Sequence, residues 1–239
     1  MKRELLIHGG SSLKKLELIK KLDTDFDKFY IFTRNIKLAK ANLKTYSQKI
    51  IFFENTLDDF SITLNDLKKL PNSINSILWV SGNTGNAEKE FQSIDDCLKT
   101  LNVNFVNVIL SINFLLKEKF LINSSSFICC LTSVAGLRGR KFNTFYGSAK
   151  SGLISYLSSL RQKYDNQISI VTVIPGYMKT NSFDTNSNNL IVSSPKKSAD
   201  IIYNAIKKKK EIVYVDYKWK FIMSLVRLIP EKIFKKLNF

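Results

Sequence analysis

"ELLI", residues 4–7, runs directly into "HGGSSLKKLELIKKL", residues 8–22, and the reading of this stretch decides how the chain folds. A short apolar run, a Gly-Gly turn and a basic segment follow one another as strand, turn and helix. That order suits a phosphate site, because the free N–H groups at a helix N-terminus favour an anion. A polar loop ahead of an ordinary basic helix has the same outline. Taken alone, the stretch leaves both readings open.

Outward from it, the same alternation repeats. The apolar runs "FYIFT", "KIIFF", "SILWV", "SFICCLT", "ISIVTVI" and "EIVYV" are separated by segments with helical spacing at 35–46, 58–70, 88–119, 146–164 and 196–209. Continuous apolar runs of this length, with helices between them, are expected of strands buried on both faces of a parallel sheet. Seven strands so arranged make an α/β, Rossmann-type doubly wound parallel sheet, a three-layer sandwich. The expected organisation is one such domain over residues 1–216 and a basic amphipathic tail over 217–239. Ligands in this architecture bind beyond the carboxyl ends of the strands.

Composition narrows the function classes. Of the 239 residues, 44% are hydrophobic, enough for a large core. Three cysteines, two of them adjacent at Cys129 and Cys130 in an apolar run, read as buried thiols and make no disulfide framework. The single histidine, His8, and the absence of zinc-type spacing give no expected metal site. "MKRELLIHGG" holds too short an apolar stretch for a signal peptide, so a cytoplasmic location is expected. The net charge of +17 belongs to a chain rich in Lys, Asn, Ile and Phe, as AT-rich genomes encode. Most of the lysines read as solvated helix faces. No nucleic-acid-binding motif accompanies the charge, and no nucleic-acid partner is expected.

Chemistry gathers after the later strands. Ser133 stands in "TSVAG", and thirteen residues on "YGSAK" places Tyr146 and Lys150 one helical turn apart on one face. A Tyr-x-x-x-Lys pair is weak by itself in a chain with nine tyrosines and many lysines. "PGYMKT" at 175–180, "NVNF" at 102–105 and "VSGNTG" at 80–85 complete the pattern. A tyrosine can act as an acid or base if a neighbouring ammonium lowers its pKa, and a serine hydroxyl can orient a substrate oxygen.

From residue 5 to about 215 the chain resembles the classical short-chain dehydrogenases/reductases. The resemblance implies a catalytic set of Ser133, Tyr146 and Lys150, with Asn104 as a fourth member holding a water that links the lysine to bulk solvent. It implies that Pro175, Gly176 and Thr180 hold the nicotinamide end of a dinucleotide. "VSGNTG" occupies the place of the family's Asn-Asn-Ala-Gly turn, where only Gly82 is retained. Against the family's Thr-Gly-x-x-x-Gly-x-Gly turn, His8 stands for the threonine and Gly9 is kept. Leu13 and Lys15 replace the other two glycines. Gly9, Ser11 and Ser12 still offer a small polar turn, so the opening stretch reads as a cofactor turn with altered or weakened binding. Loss of that binding altogether would leave a protein that keeps the fold only as a binding or scaffold module.

Cofactor choice is read at the end of "YIFTRN". An acidic residue there would accept the ribose hydroxyls of NAD; Thr33 and Arg34 stand instead, and arginine suits the 2′-phosphate of NADP. "NSFDTNSNNLIVSS", residues 181–194, is expected to cover the substrate. The tail "YKWKFIMSLVRLIPEKIFKKL", residues 217–237, reads as two short amphipathic helices joined at Pro230, with Lys220, Ser224 and Arg227 opposite Trp219, Ile222, Met223 and Val226. Two readings stand for it. One is packing on its own or a partner subunit in a homo-oligomer. The other is peripheral contact with the inner face of the membrane, with aromatics such as Trp219 and Phe221 at headgroup depth and Lys207–Lys210 joining the same basic end. Tails of this kind resemble those of reductases that act on polyprenyl-phosphate-linked keto-sugars, which implies a small-molecule or lipid-linked carbonyl substrate.

Overall fold

The seven apolar runs form strands within one or two residues of the expected bounds: β1 (Glu4–His8), β2 (Lys28–Thr33), β3 (Ile50–Glu54), β4 (Ser76–Trp79), β5 (Phe127–Leu131), β6 (Ser169–Ile174) and β7 (Ile212–Tyr214). The computed structural model describes residues 2–9, 13–86, 91, 93–120, 122–123, 125–176 and 193–237. Ser11, Ser12, Thr180 and nearly all of the 181–194 stretch lie outside the described residues, as do the side chains of Leu13 and Lys15. All strands pair in parallel in the order β3-β2-β1-β4-β5-β6-β7. The chain therefore winds outward from β1 to β3, returns to place β4 beside β1, and winds the other way. The switch point lies between β1 and β4.

Alternation along each strand sends side chains to two cores. Leu5, Ile7, Phe29 and Ile31 face one side, where Leu18, Ile19 and Leu22 of α1 (Leu13–Leu22) pack with Ala199, Ile202 and Ile206 of α6 (Pro195–Lys207). Leu6, Tyr30, Phe32 and Trp79 face the other, against α3 (Phe60–Lys68), α4 (Ile94–Glu118) and α5 (Thr144–Lys163). The short α2 (Ile36–Asn42) follows β2. Side-chain caps start the helices where the sequence offers them: Asn35 accepts from Leu38 N, Asp59 from Ser61 N, Ser93 from Asp96 N and Ser194 from Lys197 N. Helix α4 is long and apolar enough to cross a membrane, but Val103, Val108, Ile112 and Leu115 place its apolar face in the core. Cys129 and Cys130 are buried free thiols in β5.

The tail forms α7 (Tyr217–Leu228), capped by Asp216, and α8 (Glu231–Phe234), capped at Pro230. Its inner face makes a third apolar cluster, in which Trp219, Met223, Val226 and Phe234 pack on Val134 and Ile174. The expectation that Trp219 lies at headgroup depth is thus overturned: it is buried, and a methyl group on Gly176 would overlap its indole ring. The lysine run is corrected too. Lys207 closes α6 and pairs with Asp25, just ahead of β2, so Lys207–Lys210 lie at the amino edge of the sheet. The tail starts from the carboxyl edge, past β7. Parallel strands separate two basic segments that are neighbours in sequence.

Candidate active site

Ser133 comes two residues after β5 and caps a short 3₁₀ turn, Val134–Gly136, where its Oγ accepts from Ala135 N at 3.1 Å. Val134 N donates to Pro175 O at 3.0 Å, which ties this turn to the loop after β6. Tyr146 and Lys150 rise from the first turns of α5 beside them. Ser133 stands beside Tyr146 and acts on its hydroxyl so as to favour the phenolate. Lys150 is buried; its Nζ donates to Leu131 O at 3.3 Å and stands 5.7 Å from the centre of the Tyr146 ring.

The electrostatics differ from the sequence expectation. Burial pushes the Tyr146 phenol up from its ordinary value, while Ser133 and the Arg140 cation partly counter this. Burial brings Lys150 down to about 8, against some opposition from neighbouring Cys130. Arg140, unremarked among many basic residues of the sequence, is a cation that acts on Tyr146.

Asn104 lies in a π-helical segment, Asn102–Val106, in the middle of α4. It is wholly buried. Its Nδ2 donates to Asn83 O at 2.6 Å and Thr100 O at 2.8 Å, and its Oδ1 accepts from Asn83 N at 3.2 Å. These bonds engage the amide group in holding the loop after β4. Gly82 in that loop has no room for a side chain: a Cβ there would meet Asn104 Oδ1 at 3.0 Å and Lys150 Nζ at 3.3 Å. Asn102 Nδ2 donates to Asp58 O at 3.2 Å, and Asn107 Nδ2 donates to Leu57 O. Three asparagines of one helix segment thus hold two loops, those after β3 and β4. Sequence reading passed over Asn83, Asn102 and Asn107, because asparagine is common throughout the chain and its type alone marks nothing.

Those loops wall a cleft at the carboxyl ends of β1, β2 and β4, lined by Gly9, Arg34, Leu57, Asp58, Gly82 and Lys99 among others. Gly9 has φ 101°, a conformation open to glycine, and its N–H donates to Phe32 O at 2.7 Å. Leu57 holds φ 65°, kept there by Asn55 Oδ1, which accepts from Leu57 N, and by Asn107. Asp58 faces Lys99, 3.9 Å away. His8 stacks on Trp79 and bonds Ser81 Oγ at 3.0 Å, joining β1 to the loop after β4 at the switch point. A cleft at the switch point with a positive-φ glycine, basic walls and an unsubstituted Gly82 before Lys150 fits a dinucleotide. Gly9, Arg34, Gly82, Asn104, Ser133, Tyr146, Lys150, Pro175 and Gly176 all lie at this one edge of the sheet.

Comparison with known proteins agrees with this geometry. The family model for short chain dehydrogenase matches residues 15–190. An uncharacterized oxidoreductase in the mprA 5′ region of Streptomyces coelicolor is 29% identical over 108 residues, 45% of this chain and 43% of that protein. Ketoacyl reductase HetN of Nostoc sp. is 30% identical over 108 residues, 43% of this chain and 38% of that protein. The match spans about two-fifths of the length of these curated relatives. A short chain dehydrogenase from Burkholderia cenocepacia, solved in complex with NADP, superimposes with a TM-score of 0.77 at 17% identity, covering 90% of this chain and 96% of that one. With its family model matched across most of the chain and its fold shared with such structures, this protein belongs to the short-chain dehydrogenase family of oxidoreductases.

Proposed function

We propose that the protein is an NADP-dependent reductase that interconverts a small-molecule carbonyl and its secondary alcohol. The observation that carries this reading is the meeting of Ser133, Tyr146 and Lys150 beside a cleft whose wall bears Arg34. A bound nicotinamide supplies the hydride for reduction and accepts it in the reverse direction.

The protein's own residues handle the oxygen and its proton. The Ser133 hydroxyl donates to the substrate oxygen and sets it against Tyr146. The Tyr146 hydroxyl gives its proton to that oxygen as the hydride reaches the carbon, and the alcohol results. Lys150, at about 8, remains mainly cationic at neutral pH and stands beside the Gly82 backbone. Arg140 favours the tyrosinate that forms when the proton leaves. Asn104 keeps the Gly82–Asn83 loop in place. Arg34 and Lys99 favour a 2′-phosphate, and β2 ends without the carboxylate that would take the hydroxyls of NAD.

The test is titration with NADPH and NADH, followed by NADPH oxidation against a panel of ketones and keto-sugars. Saturable binding with a preference for NADPH, and turnover that Tyr146→Phe abolishes, are expected. No binding of either nucleotide would overturn the reading in favour of a fold retained without its cofactor.

A further inference from the structure

The tail helices have two apolar faces, and only one is used. Trp219, Met223 and Val226 of α7 point inward. Tyr217, Phe221, Leu225 and Leu228 repeat at helical spacing on the outside, within an arc of about 80°. Tyr217 and Leu228, at the two ends of this strip, are 76% and 79% exposed. Ile233 and Leu237 continue the exposed apolar surface past Pro230. The inner face already accounts for the helix packing, and among the described residues nothing covers the outer strip.

Charge says what the strip is suited to meet. Lys218 borders it on one side and Lys220 and Arg227 on the other, with Lys232, Lys235 and Lys236 on the following segment, all exposed. The one acid between Tyr217 and Leu237, Glu231, is paired with Arg138 at 2.7 Å. A second copy of this face would set cations against cations. A helix of twelve residues is about 18 Å long, too short to span a bilayer but able to lie in its plane. Exposed apolar residues between rows of cations match the boundary of acyl chains and anionic headgroups.

We propose that the outer face of α7 and α8 docks on an anionic membrane surface, with the helices lying flat. The opposite face of the same helices packs on Gly176 and on the turn that carries Ser133. Arg138, five residues after Ser133, also donates to Ile229 O at 3.1 Å and stacks over Phe234 at 4.5 Å. Docking therefore holds the mouth of the active site close to the lipid surface. The docking does not depend on the carbonyl-reductase reading and is measured without turnover.

The experiment is flotation of the full-length protein with phosphatidylcholine vesicles, with and without phosphatidylglycerol. Wild-type protein rises with the anionic vesicles, less so at high salt, and at least tenfold less with phosphatidylcholine alone. Phe221→Glu with Leu225→Glu lowers the bound fraction at least tenfold while melting temperature and circular dichroism hold, since both side chains are exposed. Absence of wild-type flotation, or flotation unaffected by the double substitution, overturns the proposal. A double variant that changes only the mass in solution, with no lipid binding by the wild type, assigns the face to a second copy and overturns it equally.

Discussion

Tyr146 and Lys150 are one turn apart on a single helix, yet burial pushes their proton equilibria in opposite directions: the phenol up and the ammonium down. Tyr146→Phe is expected to lower turnover by roughly 10²–10⁴ while NADPH affinity, read by fluorescence, stays near wild type. Arg140→Leu removes a cation that holds the phenol down, so the pKa of Tyr146 rises further. A protonated tyrosine is what reduction needs, so the alkaline limb of the pH–rate profile should move to higher pH. A limb that stays in place would remove Arg140 from the account. For Lys150, a folded value of about 8 against an ordinary 10.5 means the unfolded chain holds the extra proton between those limits. Stability then rises with pH across that window, and the cost of the buried ammonium is full below it. Lys150→Met should abolish activity yet raise stability at pH 7, by at most about 3 kcal/mol, with the gain shrinking toward pH 10.5. Denaturant melts of both proteins at pH 7 and pH 10 check this. Equal gains at the two pH values would mean the lysine titrates normally.

The strands and helices were legible because each carries its own signal: unbroken apolar runs for buried strands, helical spacing between them, and Asn, Asp or Ser at the starts. The π-helical segment was not. "NVNF" reads as plain helix, and the extra residue in that turn becomes visible only once Asn102, Asn104 and Asn107 are seen reaching the loops after β3 and β4. Asn107→Ala strands the carbonyl of Leu57 in a buried site and loosens a residue held at φ 65°. A loss of about 1–3 kcal/mol in chemical denaturation is expected, together with weaker NADPH binding, because Leu57 walls the cleft. Unchanged affinity in a destabilised variant would separate the clamp from the cofactor site.

At the scale of the whole molecule the tail belongs to the fold. From sequence, a cut after Asp216 looks harmless, since the seventh strand ends before it and the catalytic set lies upstream. The structure packs the tail on the domain, which argues for the opposite outcome. Removing α7 and α8 exposes Val134 and Ile174, strips Trp219 from Gly176 and leaves Arg138 without Ile229 O and Glu231. Each large apolar side chain so lost removes roughly 1.5–3 kcal/mol of burial, and four are involved. Truncation is expected to lower the melting temperature markedly and depress turnover together with it. A truncated chain that melts like the full-length protein would make the tail an appendage after all.

The sequence by itself determined the layer architecture and the strand positions, because periodicity and local spacing are properties of neighbours along the chain. Tertiary structure alone decided that Lys207–Lys210 and the tail lie at opposite edges of the sheet, since a parallel strand carries the chain from one edge to the other. It decided which of the tail's two apolar faces is buried, because an amphipathic helix records that it has faces but not what covers them. It also decided the protonation chemistry of the site. A pKa answers to burial and to the direction in which a charge points, and the spacing of a tyrosine and a lysine on a helix specifies neither.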